Sequence, residues 1–417
     1  MRVLWIANMV MPELAEHLGV QTGASGTWLI DISKKLSEQQ GIKLAIACVY
    51  GNEYKKIKLN NITYFLIPGT SKSFMFYNKR LIKYWKLIEE DFSPEIVHIH
   101  GTEYTHSISY IRNYPDKKYL LNIQGIISKT SENHTADLKW CQLLRYRTLR
   151  ENLHLNGMIE RKCLSKKNVK YEQEIISKVH YATGRTDWDK AFMLSINPEL
   201  KYYRCFYNLR EEFYNAEKWS YNSCNPHTIY ASTSAQTPLK GGHIVLKALN
   251  IVRRKYPDVK VYFLAAKVEN ERLVVTSGYT KFINHLIEEL GLQKNVAFLN
   301  RLNTAGVIEI MQKSNVCVIP SAMENASSTL REAIHIGTPS IAAFRGGMTG
   351  LLEDGKSGFF YDFQDYELLA QRICELFENK ELAENFSENS VKFAEQIHDR
   401  KKNTQDFLDM YNDIAKE

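Results

Sequence analysis

Residues 319–361 read IPSAMENASSTLREAIHIGTPSIAAFRGGMTGLLEDGKSGFFY. The stretch opens on the end of an apolar, β-branched run, 316–320, with the composition of a buried strand. A polar turn carrying Glu324 and Asn325 follows, and then a helical run, 327–336, stopped by Gly337 and Pro339. A second apolar strand, 339–344, empties into Gly346-Gly347. Strand, turn, helix, strand is one βαβ unit, and sheets built from such units bind ligands beyond the carboxyl ends of their strands.

Two carboxylates bracket the turn: Glu324 before the helix and Glu332 within it, with seven residues between them. Asn325, Ala326, Ser327 and Ser328 fall where a helix leaves its first N–H groups unpaired. Those amides and the helix dipole suit a phosphate. Carboxylates suit sugar hydroxyls, which donate hydrogen bonds to a charged acceptor. One anion cradle flanked by two polyol grips describes a site for a phosphorylated sugar or a nucleotide-sugar. Either glutamate taken alone fits an ordinary solvated position, so the surrounding pattern has to carry the reading.

That pattern is Pro320-Ser321, Glu324, Glu332-Ala333, Gly337, Pro339 and Gly346-Gly347, in this order. It resembles the motif of retaining glycosyltransferases of family four, which have the GT-B fold. The resemblance implies an α/β protein of two facing Rossmann-like domains with parallel sheets, the last helix returning to the first domain. It implies transfer of a sugar from a UDP- or GDP-sugar to a glycan or polyprenyl-diphosphate-linked acceptor in surface polysaccharide biosynthesis, such as capsule or lipopolysaccharide. Glu324 would hold the donor sugar near the reacting carbon, and Glu332 the ribose. Lys240, in the loop TSAQTPLKGG, would hold the diphosphate. The family places a Gly-rich first βα turn beside the donor phosphates, and Gly23 and Gly26 occupy that place here.

The chain also departs from the family. Thr233-Ser234 stand where a Gly-Arg pair is usual, six residues before Lys240, so one phosphate contact is missing. Arg345, just before Gly346, is expected to supply part of that charge, with Arg301 as a weaker candidate and an exposed turn arginine as the ordinary alternative. At the acceptor side the family often has a histidine where this chain has Gln124, and Gln cannot act as a base. His98 and His100, in VHIHG, fit either buried core histidines or a place at the acceptor cleft. The family mechanism is described as front-face, the leaving phosphate helping to take the acceptor proton, which accommodates the absence of an evident base. Two rivals share the motif: a GT-B nucleotide-sugar epimerase and a catalytically inactive nucleotide-sugar-binding subunit. No cofactor is expected, the nucleotide-sugar being a substrate, and no metal either. Asp187-Trp188-Asp189 is a D-x-D, but it follows Thr186 and reads as the acidic first turn of a capped helix.

The 417 residues suffice for two domains, and 44% apolar with 24% charged residues is a globular composition. No window reaches the ~18 apolar residues of a membrane span. The N-terminus, MRVLWIANMVMPE, lacks the h-region of a signal peptide, and the seven scattered cysteines read as reduced thiols. A cytoplasmic protein is expected, with a peripheral place at the inner face of the plasma membrane left open. The net charge is +7, and residues 129–178 hold eleven Lys/Arg against six Asp/Glu. No nucleic-acid-binding motif accompanies this charge, so an anionic membrane surface or substrate is the better partner, with a merely solvated surface the alternative. The aromatic-basic stretch 73–86 also fits a membrane interface, or a helix covering the sheet.

Short apolar strands alternate with helices from residue 3 to about 124 and again from 228 to 344, the pattern of parallel α/β sheets. We expect an N-terminal acceptor domain, 1–214, with a helical insertion at about 133–178. A linker, 215–227, a nucleotide-sugar donor domain, 228–395, and a returning C-terminal helix, 396–417, complete the chain.

Overall fold

The computed structural model describes residues 1–20, 27–69, 76–233, 237–264, 277–299 and 302–417. They divide into two compact units: residues 1–128, 167–210 and 397–417, and residues 129–166 and 211–396.

The first unit holds eight strands: β1 Arg2–Ile6, β2 Lys43–Val49, β3 Lys55–Leu59, β4 Ile62–Ile67, β5 Ile96–His100, β6 Lys118–Asn122, β7 Tyr181–Gly184 and β8 Lys201–Arg204. Their order is β3-β4-β2-β1-β5-β6-β7-β8. All neighbours pair in parallel except β3, which runs antiparallel to β4. The central strands are buried along nearly their whole length, which explains their unbroken apolar runs. The edge strand β3 went unseen in the sequence because its lysines face water. It is made by a hairpin at Asn60-Asn61, both with positive φ. The C-terminal helix, Arg400–Lys416, is N-capped by Asp399 and buries Phe407, Met410, Tyr411 and Ile414 in this unit's core. Its Tyr411 hydroxyl accepts from the Trp5 indole N–H at 2.9 Å and lies 2.6 Å from His98 Nδ1.

The second unit holds β9 Thr228–Ala231, β10 Lys260–Leu264, β11 Val296–Leu299, β12 Val316–Ile319, β13 Ser340–Ala343 and β14 Phe359–Tyr361. Their order is β11-β10-β9-β12-β13-β14, all parallel. The chain winds outward from β9 in one direction and restarts at β12 on the other side. The crevice between the ends of β9 and β12 is therefore a topological switch point, where such sheets take their ligands.

Two boundaries differ from the expectation. Residues 129–166 group with the second unit, not with the domain whose sequence they interrupt. Tyr146 packs on Phe282 with ring centroids 5.2 Å apart, Glu151 accepts from the Gly278 N–H at 2.9 Å, and His243 Nε2 lies 3.1 Å from the Ala136 carbonyl. The stretch 215–227 is no free linker either. Trp219 is buried, its indole N–H donating to the Ser314 carbonyl and its backbone N–H to that of Ile336. The polar composition of 215–227 hid this one anchoring side chain.

Candidate functional site

At the switch point of the second unit, the segment after β9 and the segment after β12 are locked together by backbone. The Pro238–Lys240 turn ends at Gly241, whose φ of +63° is the left-handed conformation that glycine tolerates. A Cβ there would lie 1.8 Å from the Pro320 carbonyl oxygen. The Leu239 carbonyl accepts from the Ala322 N–H at 2.8 Å. So the K-G-G run matters because backbone must touch backbone there, and Lys240 is carried to the end of β12 as a consequence. Its ammonium forms an ion pair with Oε1 of Glu324, which also accepts from the Ser321 hydroxyl at 3.1 Å.

Glu324 is held from the other side by the Gly-Gly turn. The Gly347 N–H donates to the Glu324 carbonyl at 3.1 Å. Gly346 has φ +60°, and a Cβ on it would sit 2.1 Å from that same oxygen. The expected donor-binding Gly346 thus acts on Glu324 by letting the β13 exit pass against its backbone. Directly beyond, Ser327 caps the Ser328–Ile336 helix, its hydroxyl accepting from the Leu330 N–H, and Gly337 closes the helix in the left-handed region. Asn325 and Ser327 are buried, while Ala326 and Glu332 are half-buried and Ser328 is exposed. Glu332 lies near enough to Cys317 on β12 to help burial push that thiol up. Lys240, Glu324 and the helix N-terminus are thus brought together, a cation and an anion-binding terminus beside a fixed carboxylate.

Arg345 has a partner that spacing along the chain did not show. Its guanidinium Nη2 lies 3.2 Å and 3.4 Å from the two carboxylate oxygens of Asp362. The register explains this: Ala343 on β13 pairs with Tyr361 on β14, so the residues after the two strands are neighbours. Arg345 is thus paired with Asp362 in this ligand-free arrangement, as Lys240 is with Glu324. Gly23, Gly26, Ser234 and Arg301 lie outside the described residues.

In the first unit the acceptor-side candidates separate. His100 is 2% exposed, with its ring 4.5 Å from Trp5 and 4.0 Å from His98. Burial lowers its pKa to about 3, and it is a core residue and not an open cleft residue. Gln124 follows β6, half-buried, and donates to the Asn122 side-chain oxygen. The D-x-D is a helix start as read: Thr186 accepts from the Asp189 N–H, while Asp187 pairs with Arg204.

The sequence reading missed Glu103. The first unit winds outward from β1 and restarts at β5, so its switch point lies between their ends. There Asn8 donates to Glu103 Oε2 at 3.0 Å and the Gly125 N–H donates to Oε1 at 2.6 Å. Burial pushes the Glu103 carboxyl up, partly offset by its own backbone N–H and that of Gly125. Gly101, with φ +93°, makes the bend that admits it. A glycine followed two residues later by a carboxylate, directly after a buried strand, was the available signal.

The chain is similar to known proteins in part of its sequence and in its fold. Residues 215–393 match the family described as Glycosyl transferases group 1. Among curated proteins, a D-inositol 3-phosphate glycosyltransferase from Corynebacterium urealyticum is 30% identical over 145 residues, 33% of this chain and 32% of that one. Spore coat protein SA of Bacillus subtilis is 27% identical over 176 residues, 42% of this chain and 45% of that one. The matches thus span less than half the length of these relatives. Among solved structures, sucrose-phosphate synthase from Thermosynechococcus elongatus aligns with a TM-score of 0.75 at 12% identity, covering 99% of each chain. Anabaena HepE, solved with UDP-glucose, aligns at 0.68 and 16% identity, covering 99% of this chain and 100% of that one. At such identities the likeness establishes the two-domain GT-B fold.

Proposed function

We propose that this protein is a retaining GT-B glycosyltransferase that moves a sugar from a nucleotide-diphosphate donor to a hydroxyl acceptor. The observation that carries the reading is the Lys240–Glu324 pair, set beside the N-terminus of the Ser328–Ile336 helix at the second unit's switch point. The family match over 215–393 includes both residues and Glu332.

A diphosphate entering this crevice meets the helix terminus and takes Lys240 from Glu324. The freed carboxylate then accepts from the donor sugar's hydroxyls. As the sugar–phosphate bond stretches, negative charge grows on the leaving diphosphate, where a fixed ammonium and aligned amides stabilise it most. Glu332 is read as the ribose grip. In the first unit, Glu103 is the polar group we read as holding an acceptor hydroxyl. A glycan or polyprenyl-diphosphate-linked acceptor of surface polysaccharide biosynthesis is the class we favour, with the reaction placed in the cytoplasm.

The test is incubation of the full chain with UDP- and GDP-sugars and a panel of polyol, glycan and polyprenyl-diphosphate acceptors. An α-linked product from an α-linked donor supports the reading. Epimerised donor without transfer, or no turnover of any donor, overturns it.

A further inference from the structure

We propose that the outward faces of the Trp140–Arg145 and Leu149–His154 helices form a docking surface for an anionic phospholipid bilayer. Five of the eight exposed large hydrophobic side chains among the described residues fall within residues 140–155. Trp140, Leu144, Leu149, Leu153 and Leu155 are each between 60% and 76% exposed. Trp140 with Leu144, and Leu149 with Leu153, are four apart, so each pair lies on one helix face.

The opposite faces are firmly seated. Leu143 and Tyr146 are buried, the latter against Phe282, and Glu151 caps its own helix while accepting from the Gly278 N–H. The apolar display is therefore built on anchored helices and is no frayed end. Such a concentration of exposed apolar side chains on seated helices points to an interaction surface.

Charge selects the occupant. From Lys139 to Lys167 the sequence has eight Lys/Arg and two Glu. Both glutamates turn away from solvent partners: Glu151 is buried and Glu160 pairs with Arg147. Lys139, Arg145 and Arg150 are exposed and interleaved with the leucines. Leucine and tryptophan enter the headgroup boundary while Lys and Arg meet lipid phosphates, the division of labour of interfacial helices. A second copy of this surface would bring like charges together, and nucleic acid would leave the leucines unburied. The earlier candidate, 73–86, is weaker, since the Ile82–Phe92 helix turns Trp85 and Ile88 into the core.

The proposal deepens the reading of a lipid-linked acceptor, but its test needs no sugar transfer. Binding without transfer counts against that reading alone, and transfer without binding against this one. The full chain is floated with vesicles of phosphatidylcholine alone or with roughly one-third phosphatidylglycerol, at about 0.1 M and 0.5 M salt. Wild type should prefer the anionic vesicles at least ~tenfold at low salt and lose most of that preference at high salt. Leu149→Ser with Leu153→Ser, and separately Lys139→Glu with Arg145→Glu, should each weaken binding at least ~tenfold without moving Tm. Lys79→Glu with Lys83→Glu should leave binding unchanged. Equal binding to both vesicles, or variants that bind like wild type, overturns the proposal. So does self-association abolished by the same leucine changes without vesicle binding, which assigns the face to a second copy.

Discussion

Lys240 and Glu324 stand 84 residues apart and form one ion pair, and the account rests on what that pair does when a donor arrives. If Glu324 works mainly in the transition state, Glu324→Gln should lower kcat at least ~100-fold and change donor affinity little. Arg345→Ala should behave differently, because its guanidinium is engaged by Asp362 in a partly exposed pair worth at most ~1 kcal/mol. Its kcat/KM should stay within about threefold of wild type. A tenfold loss in Arg345→Ala would restore it as a phosphate ligand, and near-normal turnover in Glu324→Gln would remove Glu324 from the chemistry. The sequence made Glu324, Lys240 and the capping Ser327 readable because each sits beside a strand end and a glycine. It did not show the partner of Arg345, because Asp362, just after the adjacent strand, is invisible to spacing along the chain. Glu103 stayed hidden for the same reason: its donors, Asn8 and Gly125, come from two other strand ends.

At the level of elements, glycine positions the site. Gly241→Ala meets both a left-handed backbone and the Pro320 carbonyl, so it should destabilise the protein by more than ~1 kcal/mol. Because the same loop carries Lys240, kcat/KM should fall at least ~tenfold at temperatures where the variant remains folded. A variant with wild-type Tm and activity would show that the Leu239–Ala322 lock does not set the lysine. The buried strands and the helices between them were legible because apolar runs of four to seven residues alternate with amphipathic periods. The strands that escaped are the edge strands β3 and β8, where solvated or mixed residues break the apolar run, and β14, whose run of three residues is too short to stand out. The helical pattern of 133–178 was visible, but not which unit it packs on. That is decided by long-range contacts such as Tyr146 with Phe282.

For the whole molecule, the two-domain α/β plan was legible from repetition of one pattern and the returning helix from the family resemblance, and acid sensitivity follows from the histidines buried in the first unit. His98, beneath Tyr411, and His100 and His106 are all buried with lowered pKa values, the last two at about 3 and about 4. Their folded-state values lie below the unfolded ~6.5, so the unfolded chain binds more protons between these limits. Their contribution is fully present above pH ~6.5 and is lost as pH falls toward the folded values, by up to about 1.4 kcal/mol per pH unit for each histidine. Thermal unfolding should therefore shift to lower temperature between pH 7 and pH 5, and replacing His100 with leucine should flatten that dependence. A Tm independent of pH across this range would contradict the buried neutral state of these rings. No helix among the described residues is long and apolar enough to cross a membrane. The central claim is that the crevice of the second unit holds the donor's diphosphate through Lys240. The most direct measurement is thermal unfolding of wild type and Lys240→Ala with and without UDP- and GDP-sugars. At ~100 times Kd a donor adds about 2.7 kcal/mol, a shift of several degrees. The account predicts that shift for one nucleotide class in wild type and its near-disappearance in Lys240→Ala at the same concentration. Equal shifts in both proteins, or none with any nucleotide-sugar, would contradict it.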